Sequence, residues 1–192
     1  MKLLAFLTIT FVVSGCASND FLKPHQGKEN AKLRLVSIPS NNNFIHASTP
    51  NGCPSKTPLY NMATLGAKAN LVRSLSRLDI PLYNSKIPAS HQNEIFIPAG
   101  ESFSFQFNGV GITGITPGVT EASSPILYSW CRKIISFTPK ANANYEAVYD
   151  YVDSFNGKKT CGVKLFEISK GGDGEFVKKE ESSYATSDVN CK

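Results

Sequence analysis

The chain has 192 residues, 20 basic and 15 acidic side chains, and a formal net charge of +5. Its length suits one domain with a hydrophobic core. The excess of positive charge is small. The lysine pairs at 158–159 and 178–179 lie among acidic residues, and they do not belong to a run of basic residues interspersed with aromatic ones. Nucleic-acid binding is therefore not expected.

Residues 1–16 have the layout of an export signal. Lys2 is followed by an apolar run over residues 3–13 and then by the sequence VSGC at 13–16, so a cysteine occupies the cleavage point. The run is shorter than the ~20 residues that cross a bilayer as a helix, which favours cleavage over a retained anchor. An ordinary secretory signal with an incidental cysteine is the alternative interpretation.

This stretch resembles the signal of bacterial lipoproteins. The resemblance implies that residues 1–15 are removed and that Cys16 becomes the first residue, acylated on its sulfur and amino group with chains such as palmitate. Ala17 stands where an aspartate would favour retention in the inner membrane. The resemblance therefore implies anchoring in the outer membrane, on the periplasmic face or, alternatively, at the cell surface.

Four cysteines remain after Cys16, namely Cys53, Cys131, Cys161 and Cys191. An even number in an oxidising compartment predicts two disulfides, and four cysteines allow three connectivities. If the strands of Cys131 and Cys161 flank a third strand in one sheet, they lie ~9.5 Å apart, beyond the ~7 Å limit for bridged Cα atoms. A return strand that carries the chain end back toward Cys161 favours Cys161 with Cys191 and Cys53 with Cys131, while the other two schemes stay open. Cys131 can pair with Cys161 only if their strands belong to different sheets.

The segment after the signal, residues 16–30, is polar and interrupted by proline and glycine, and it predicts a flexible tether. The folded domain is predicted to occupy residues 31–192. It begins with strands over 31–38 and 44–49, joined as a hairpin by an asparagine-rich turn.

Residues 57–82 show a different periodicity. Four apolar residues recur at spacings of four and three, which predicts one short amphipathic helix ending before Pro81. These residues are Ala67, Leu71, Leu75 and Leu78.

The clearest strand signals follow. EIFIP at 94–98 and the strict alternation of SFSFQF at 102–107 predict two strands, and the phenylalanines of the second are expected in the core. Residues 108–125, rich in Gly, Thr, Ser and Pro, predict a long irregular loop in which ligand contacts are expected first.

The remainder predicts a meander of four short strands, the last of which carries charges typical of a sheet edge. These strands cover residues 127–137, 145–152, 161–168 and 175–180. Short strands at such intervals predict a mainly β fold, an antiparallel β-sandwich of Ig-like or transthyretin-like type with one short helix.

The predicted folded domain contains four short motifs that bear on a family resemblance: AKLR at 31–34, IPAG at 97–100, FTP at 137–139 and CGVKLFE at 161–167. Together with the cysteines they are similar to a group of uncharacterised proteobacterial outer-membrane lipoproteins. The motifs are turns and strand ends, so the resemblance implies no chemistry and transfers no site residue.

Candidate chemistry is sparse. None of the histidines His25, His46 and His91 has a sequence neighbour that marks a metal ligand, and the cysteine gaps offer no CxxC or HxxxH pair, so no metal or cofactor is predicted. His91 with Glu94 is the one candidate acid/base pair, and two polar residues of a surface loop is the preferred interpretation.

These observations predict a non-enzymatic structural or binding module of the cell envelope, with no catalytic residue. Its partners are the membrane, through the acyl chains, and an envelope protein. One alternative is an accessory lipoprotein of an envelope or secretion machine. The other is an envelope enzyme with a site near residues 108–125.

Overall fold

A computed structural model of the chain describes residues 20–38, 44–48, 61–65, 76–115, 126–153 and 159–188. These residues form ten strands and two short 3₁₀ turns, which confirms the prediction of a mainly β fold. The strands are β1 (Asn30–Ser37), β2 (Phe44–Ser48), β3 (Asn61–Leu65), β4 (Gln92–Pro98), β5 (Phe103–Ile115), β6 (Ile126–Phe137), β7 (Asn144–Asp153), β8 (Lys159–Lys170), β9 (Phe176–Glu180) and β10 (Ala185–Asp188).

The strands form two five-stranded sheets. Sheet A has the order β4-β1-β7-β8-β9, and sheet B has the order β3-β2-β5-β6-β10. β1 and β7 run parallel, whereas the other neighbours are antiparallel, so the prediction of a purely antiparallel fold is wrong at this pair. A parallel pair needs a long crossover, and here the chain visits sheet B twice between the two strands.

The predicted hairpin of the first two strands is also wrong. β1 lies inside sheet A, with β4 on one edge and β7 on the other. β2 lies in sheet B between β3 and β5. Because both edges of β1 are occupied, β2 has no place beside it, and the chain passes from one sheet to the other between them.

The core lies between the two sheets. Phe105 and Phe107 are fully buried, and Phe103 is nearly so, which confirms the expectation for the alternating SFSFQF strand. Aromatic rings of sheet A meet them: the centroids of Phe107 and Tyr149 are 5.6 Å apart. Aromatic pairs at this separation stabilise a fold by more than the apolar area that they bury. The contacts between these rings therefore help to hold the two sheets together.

The predicted helix is wrong wherever the structure describes its range. Asn61–Leu65 is a strand, and residues 76–80 are not helical, while residues 66–75 lie outside the described part. The Leu78 N–H donates to Glu94 Oε2, and the Ser76 carbonyl accepts from the Glu94 N–H. These backbone groups therefore form hydrogen bonds with β4 instead of with one another in a helix. Asp79 also has φ of 55°, which ends any right-handed helix there. The helical elements among the described residues are the 3₁₀ turns Asp20–Leu22 and Ala89–His91.

The predicted loop over 108–125 is wrong in its first part. β5 continues to Ile115 and pairs with β6 from Ile126, with a register shift between Ile112 and Gly114. Residues 116–125 lie outside the described residues. Cross-strand pairing with an apolar β6 overrides the turn-forming composition of NGVGITG, because strand formation depends strongly on the pairing partner.

Both ends of the domain differ in detail from expectation. β9 is an edge strand with all five residues exposed, as predicted, whereas β10, which pairs with β6, was not predicted. Residues 20–29, within the range predicted as a tether, lie beside β4. Phe21 packs against the core, and the Ala99 N–H donates to the Glu29 carbonyl at 2.9 Å.

Candidate functional site

The outer face of sheet A carries a buried charged row. Strand register places Glu94, Arg34 and Glu146 side by side on β4, β1 and β7, and the same row continues to Phe166 and Glu180 on β8 and β9. Arg34 Nε donates to Glu94 Oε1 at 3.0 Å, and its Nη1 donates to Glu146 Oε2 at 2.8 Å. Arg34 and Glu94 are fully buried, and Glu146 is nearly so.

A covering segment, residues 76–92, explains this burial on a face that would otherwise contact solvent. The carbonyls of Ile80, Pro81 and Leu82 accept hydrogen bonds from the Arg34 guanidinium. Glu94 Oε2 in turn accepts from the N–H groups of Leu78 and Ile80. The five donors of one guanidinium therefore fix both carboxylates and the covering segment together.

A first hollow of about 470 Å³ opens where the covering segment meets the sheet. Its walls are mainly apolar, with Gln92, Asn84, Glu146 and Lys178 as polar members. The apolar members are Val36, Ile38, Leu82, Tyr83, Ile87 and Val148.

Gln92 is the polar group in this hollow whose hydrogen bonding is incomplete. Its side chain amide donates to the Asn84 and Ile87 carbonyls at 2.9 and 2.8 Å. Its Oε1 is buried and has no hydrogen-bond partner among the described residues. A buried carbonyl oxygen without a donor costs free energy, and a ligand N–H or O–H would relieve that cost.

A second hollow of about 390 Å³ adjoins the first and shares Val148 and Lys178 with it. Lys178 Nζ lies 2.8 Å from Glu146 Oε1 and 4.4 Å from the ring centroid of Phe166. We call the two hollows together the outer groove. Its charged groups neutralise one another, since Lys178 pairs with Glu146 and Lys164 Nζ lies 3.6 Å from Glu180 Oε2. The groove therefore favours an uncharged ligand with an apolar body.

The candidate acid/base pair of His91 and Glu94 is not formed, and the preferred interpretation of two surface-loop residues is wrong for Glu94, which is buried in β4. His91 Nδ1 lies 3.2 Å from Ser37 Oγ, whereas Glu94 is held by Arg34 and the covering segment. His25 lies beside β4, where its Nε2 is 3.4 Å from the Phe96 carbonyl oxygen. The side chain of His46 is outside the described residues.

The cysteines are only partly described. Cys131 and Cys161 occupy register positions in β6 and β8, but their side chains lie outside the described residues. Cys16, Cys53 and Cys191 lie outside them altogether.

Sequence reasoning missed the outer groove. One signal for it was available, because Arg34 interrupts an apolar strand between Leu33 and Leu35, and Glu94 and Glu146 begin similar runs. A lone charge in such a strand normally marks the solvent face. Only the covering segment, which is distant in sequence from β1, makes it a buried cluster.

Three comparisons bear on identity. Among the described residues, no group of three or more His, Cys, Asp or Glu side chains could hold a metal ion, and no helix is long and apolar enough to cross a membrane. No protein-family model, curated protein or solved structure matches the chain. The proposal for function therefore depends on the predicted export signal and on the outer groove.

His91 gives a testable pH dependence. Burial lowers the pKa of His91 below its ordinary value, and a hydrogen bond with Ser37 offsets part of that effect. Because the folded pKa lies below the unfolded value of ~6.5, protonation favours the unfolded state, and stability should fall as the pH drops below about 6.5. His91→Gln should remove this contribution, measured as a smaller loss in urea midpoint between pH 7.5 and 5.5. Equal losses in the variant and the parent would contradict it.

Proposed function

We propose that this chain is an outer-membrane lipoprotein of bacteria whose folded domain is a non-enzymatic binding module of the cell envelope. Cys16 carries the acyl chains, and the outer groove binds an uncharged ligand with an apolar body and a hydrogen-bond donor. The observation that carries the groove assignment is Gln92, a residue of the hollow's wall whose buried Oε1 has no donor among the described residues. Two sheets around one core support a β-sandwich, and the Ig-like or transthyretin-like type is part of the proposal.

The chemistry of the groove supports binding rather than catalysis. Both oxygens of Glu146 accept hydrogen bonds, one from Arg34 and one from Lys178. Both oxygens of Glu94 are also occupied, by Arg34 and by backbone N–H groups. A general acid or base must reach a substrate proton, and these carboxylates are already committed to holding the fold.

A second candidate, an accessory subunit of an envelope or secretion machine, is favoured by β9. This edge strand exposes Phe176 and Val177, and an exposed apolar edge can receive a strand from a partner protein. The lysines at 178–179 discourage pairing with most strands, so the strand of a partner protein would have to place acidic side chains opposite them. An enzyme with a site near residues 108–125 is the remaining alternative, and residues 116–125 lie outside the described part of the chain.

The anchor is tested by Cys16→Ser. Without the thiol no acyl chains can be attached, so the domain should move from the membrane fraction to the soluble fraction after cell lysis. Mass spectrometry of the parent should show an acylated amino terminus at Cys16. Tight membrane association of the variant, or an uncleaved and unmodified amino terminus in the parent, would overturn the anchor.

The groove is tested by photo-crosslinking from its wall. Tyr83 lines the first hollow and is already a large aromatic residue, so p-benzoylphenylalanine placed there in the lipidated protein should crosslink the bound ligand in living cells. The same photoprobe at exposed Lys28 is the matched control, because that residue lies outside both hollows. Val148→Trp should fill the groove, so a photoprobe at Tyr83 should lose its adduct in that background. An adduct that forms equally at Lys28, or that survives Val148→Trp, would contradict the groove as the site.

A further inference from the structure

The strands that carry Cys131 and Cys161 belong to different sheets. β6 is in sheet B and β8 is in sheet A, and Cα atoms of the two strands come within 8 Å of each other. The prediction that a third strand of the same sheet separates them is therefore wrong. The geometric objection to a bond between Cys131 and Cys161 disappears with it.

Strand alternation assigns both positions to the inward-facing set. Cys131 is the register partner of Gly109. Gly109 faces the core, because a Cβ built there would lie 1.9 Å from the Tyr149 hydroxyl. On β8, Val163 and Leu165 are buried in the core, and position 161 has the same parity.

The two positions also lie at the same height along the facing strands. The rings of Phe107 and Tyr149 meet at 5.6 Å. Phe137, the register partner of Phe103, meets Tyr145 at 5.0 Å, so β5 and β7 run in the same direction at matched heights. Two residues further along each strand are Gly109 and Tyr151. Their register partners on the neighbouring strands are Cys131 and Cys161, respectively.

We propose that Cys131 and Cys161 form a disulfide that joins the two sheets, which leaves Cys53 and Cys191 for the second bond. Bridged cysteines need Cα atoms less than ~7 Å apart, and packed sheets are usually ~10 Å apart. Cα atoms of β6 and β8 come within 8 Å of each other, closer than that usual spacing, which favours a bond between these two strands. The bond forms by thiol–disulfide exchange: the two thiols lose two protons and two electrons, and a donor disulfide is reduced to two thiols.

The bond would close the loop formed by residues 132–160 and hold the β5–β6 hairpin against the β7–β8 hairpin. Its formation in cells depends on the proposed export, because a reducing cytosol would leave the thiols free. The test therefore separates pairing from location. It uses the full mature chain purified from the envelope and, in parallel, the same chain refolded with oxidised glutathione.

Trypsin places each of the four cysteines in its own peptide. Cys131 lies in Ile87–Arg132, Cys161 in Thr160–Lys164, Cys53 in Leu35–Lys56 and Cys191 in Glu180–Lys192. Non-reducing mass spectrometry should find Ile87–Arg132 joined to Thr160–Lys164 in both preparations. Any other partner for Cys131 or Cys161 in the refolded chain overturns the pairing. Free thiols in the envelope preparation alone would overturn the export proposal instead.

Thermal unfolding gives an independent readout. Cys131→Ser, Cys161→Ser and the double variant remove the same bond, so each should lower the melting temperature equally, by about 10 °C. Cys53→Ser should leave the linked Cys131 and Cys161 peptides intact. A double variant that loses clearly more than either single variant, or an absence of any change, would overturn the shared bond.

Discussion

Replacing Arg34 by methionine should lower the free energy of unfolding by about 3 to 5 kcal/mol, because removing one partner of a buried ion pair leaves the other charge uncompensated. Here two carboxylates would be left, since Arg34 contacts both Glu94 and Glu146 in a fully buried position. The covering segment would also lose the donors that its carbonyls accept from. Urea unfolding of the mature domain measures the change.

Two controls separate this mechanism from a general loss of charge. Lys164→Ala removes an exposed ion pair with Glu180 on the same face of the sheet, and such pairs contribute less than about 1 kcal/mol. Replacing Arg34 by Met together with Glu94→Gln and Glu146→Gln should recover part of the stability, because no buried charge is then left alone. A loss below about 1 kcal/mol for the single Arg34 variant would show that the cluster is solvated.

The Arg34 cluster also connects stability to the proposed function. It fixes the covering segment at residues 80–82, and the continuation of that segment through Tyr83 and Ile87 forms one wall of the outer groove. Lys178 is held from the other side by Glu146. Photo-crosslinking from Tyr83 should therefore weaken in the Arg34 variant at temperatures where the domain remains folded.

The sequence was informative where local alternation decides the outcome. The Phe103, Phe105 and Phe107 pattern predicted a core strand, and the charges of β9 predicted a sheet edge. Both predictions follow from the two-residue period of a strand. This period can be recognised along one strand without knowing which strands lie beside it. β10 has no apolar alternation in ATSD, and it forms by pairing with β6.

The assignment of strands to sheets was not predictable in the same way. A turn rich in asparagine predicts a change of direction, but a hairpin and a crossing to the second sheet use similar turns. The helix prediction failed for a related reason, since Glu94 on β4 binds the backbone of residues 78–80. The candidate site depends on such contacts between distant segments, so the sequence pointed to residues 108–125 instead of the groove.

Phe105→Ala should destabilise the domain by about 3 to 5 kcal/mol, because it removes a large buried side chain and leaves a cavity. Phe105 is fully buried, and its ring lies 5.5 Å from that of Phe107 and 6.0 Å from that of Phe103. The loss would therefore extend along the aromatic stack that joins the sheets. Differential scanning calorimetry and urea unfolding both measure it.

Ser104→Ala is the matched control on the opposite face of the same strand. Ser104 Oγ lies 2.7 Å from Ser136 Oγ in a half-buried position, so its loss should cost about 1 kcal/mol, the usual net contribution of one hydrogen bond. A much larger loss of stability for Phe105→Ala than for Ser104→Ala would show that residue 105 points into the core and residue 104 points away from it. If Phe105→Ala leaves the melting temperature unchanged, the Phe105 side chain does not lie between the two sheets, and the aromatic alignment of β5 with β7 fails together with the disulfide inferred from it.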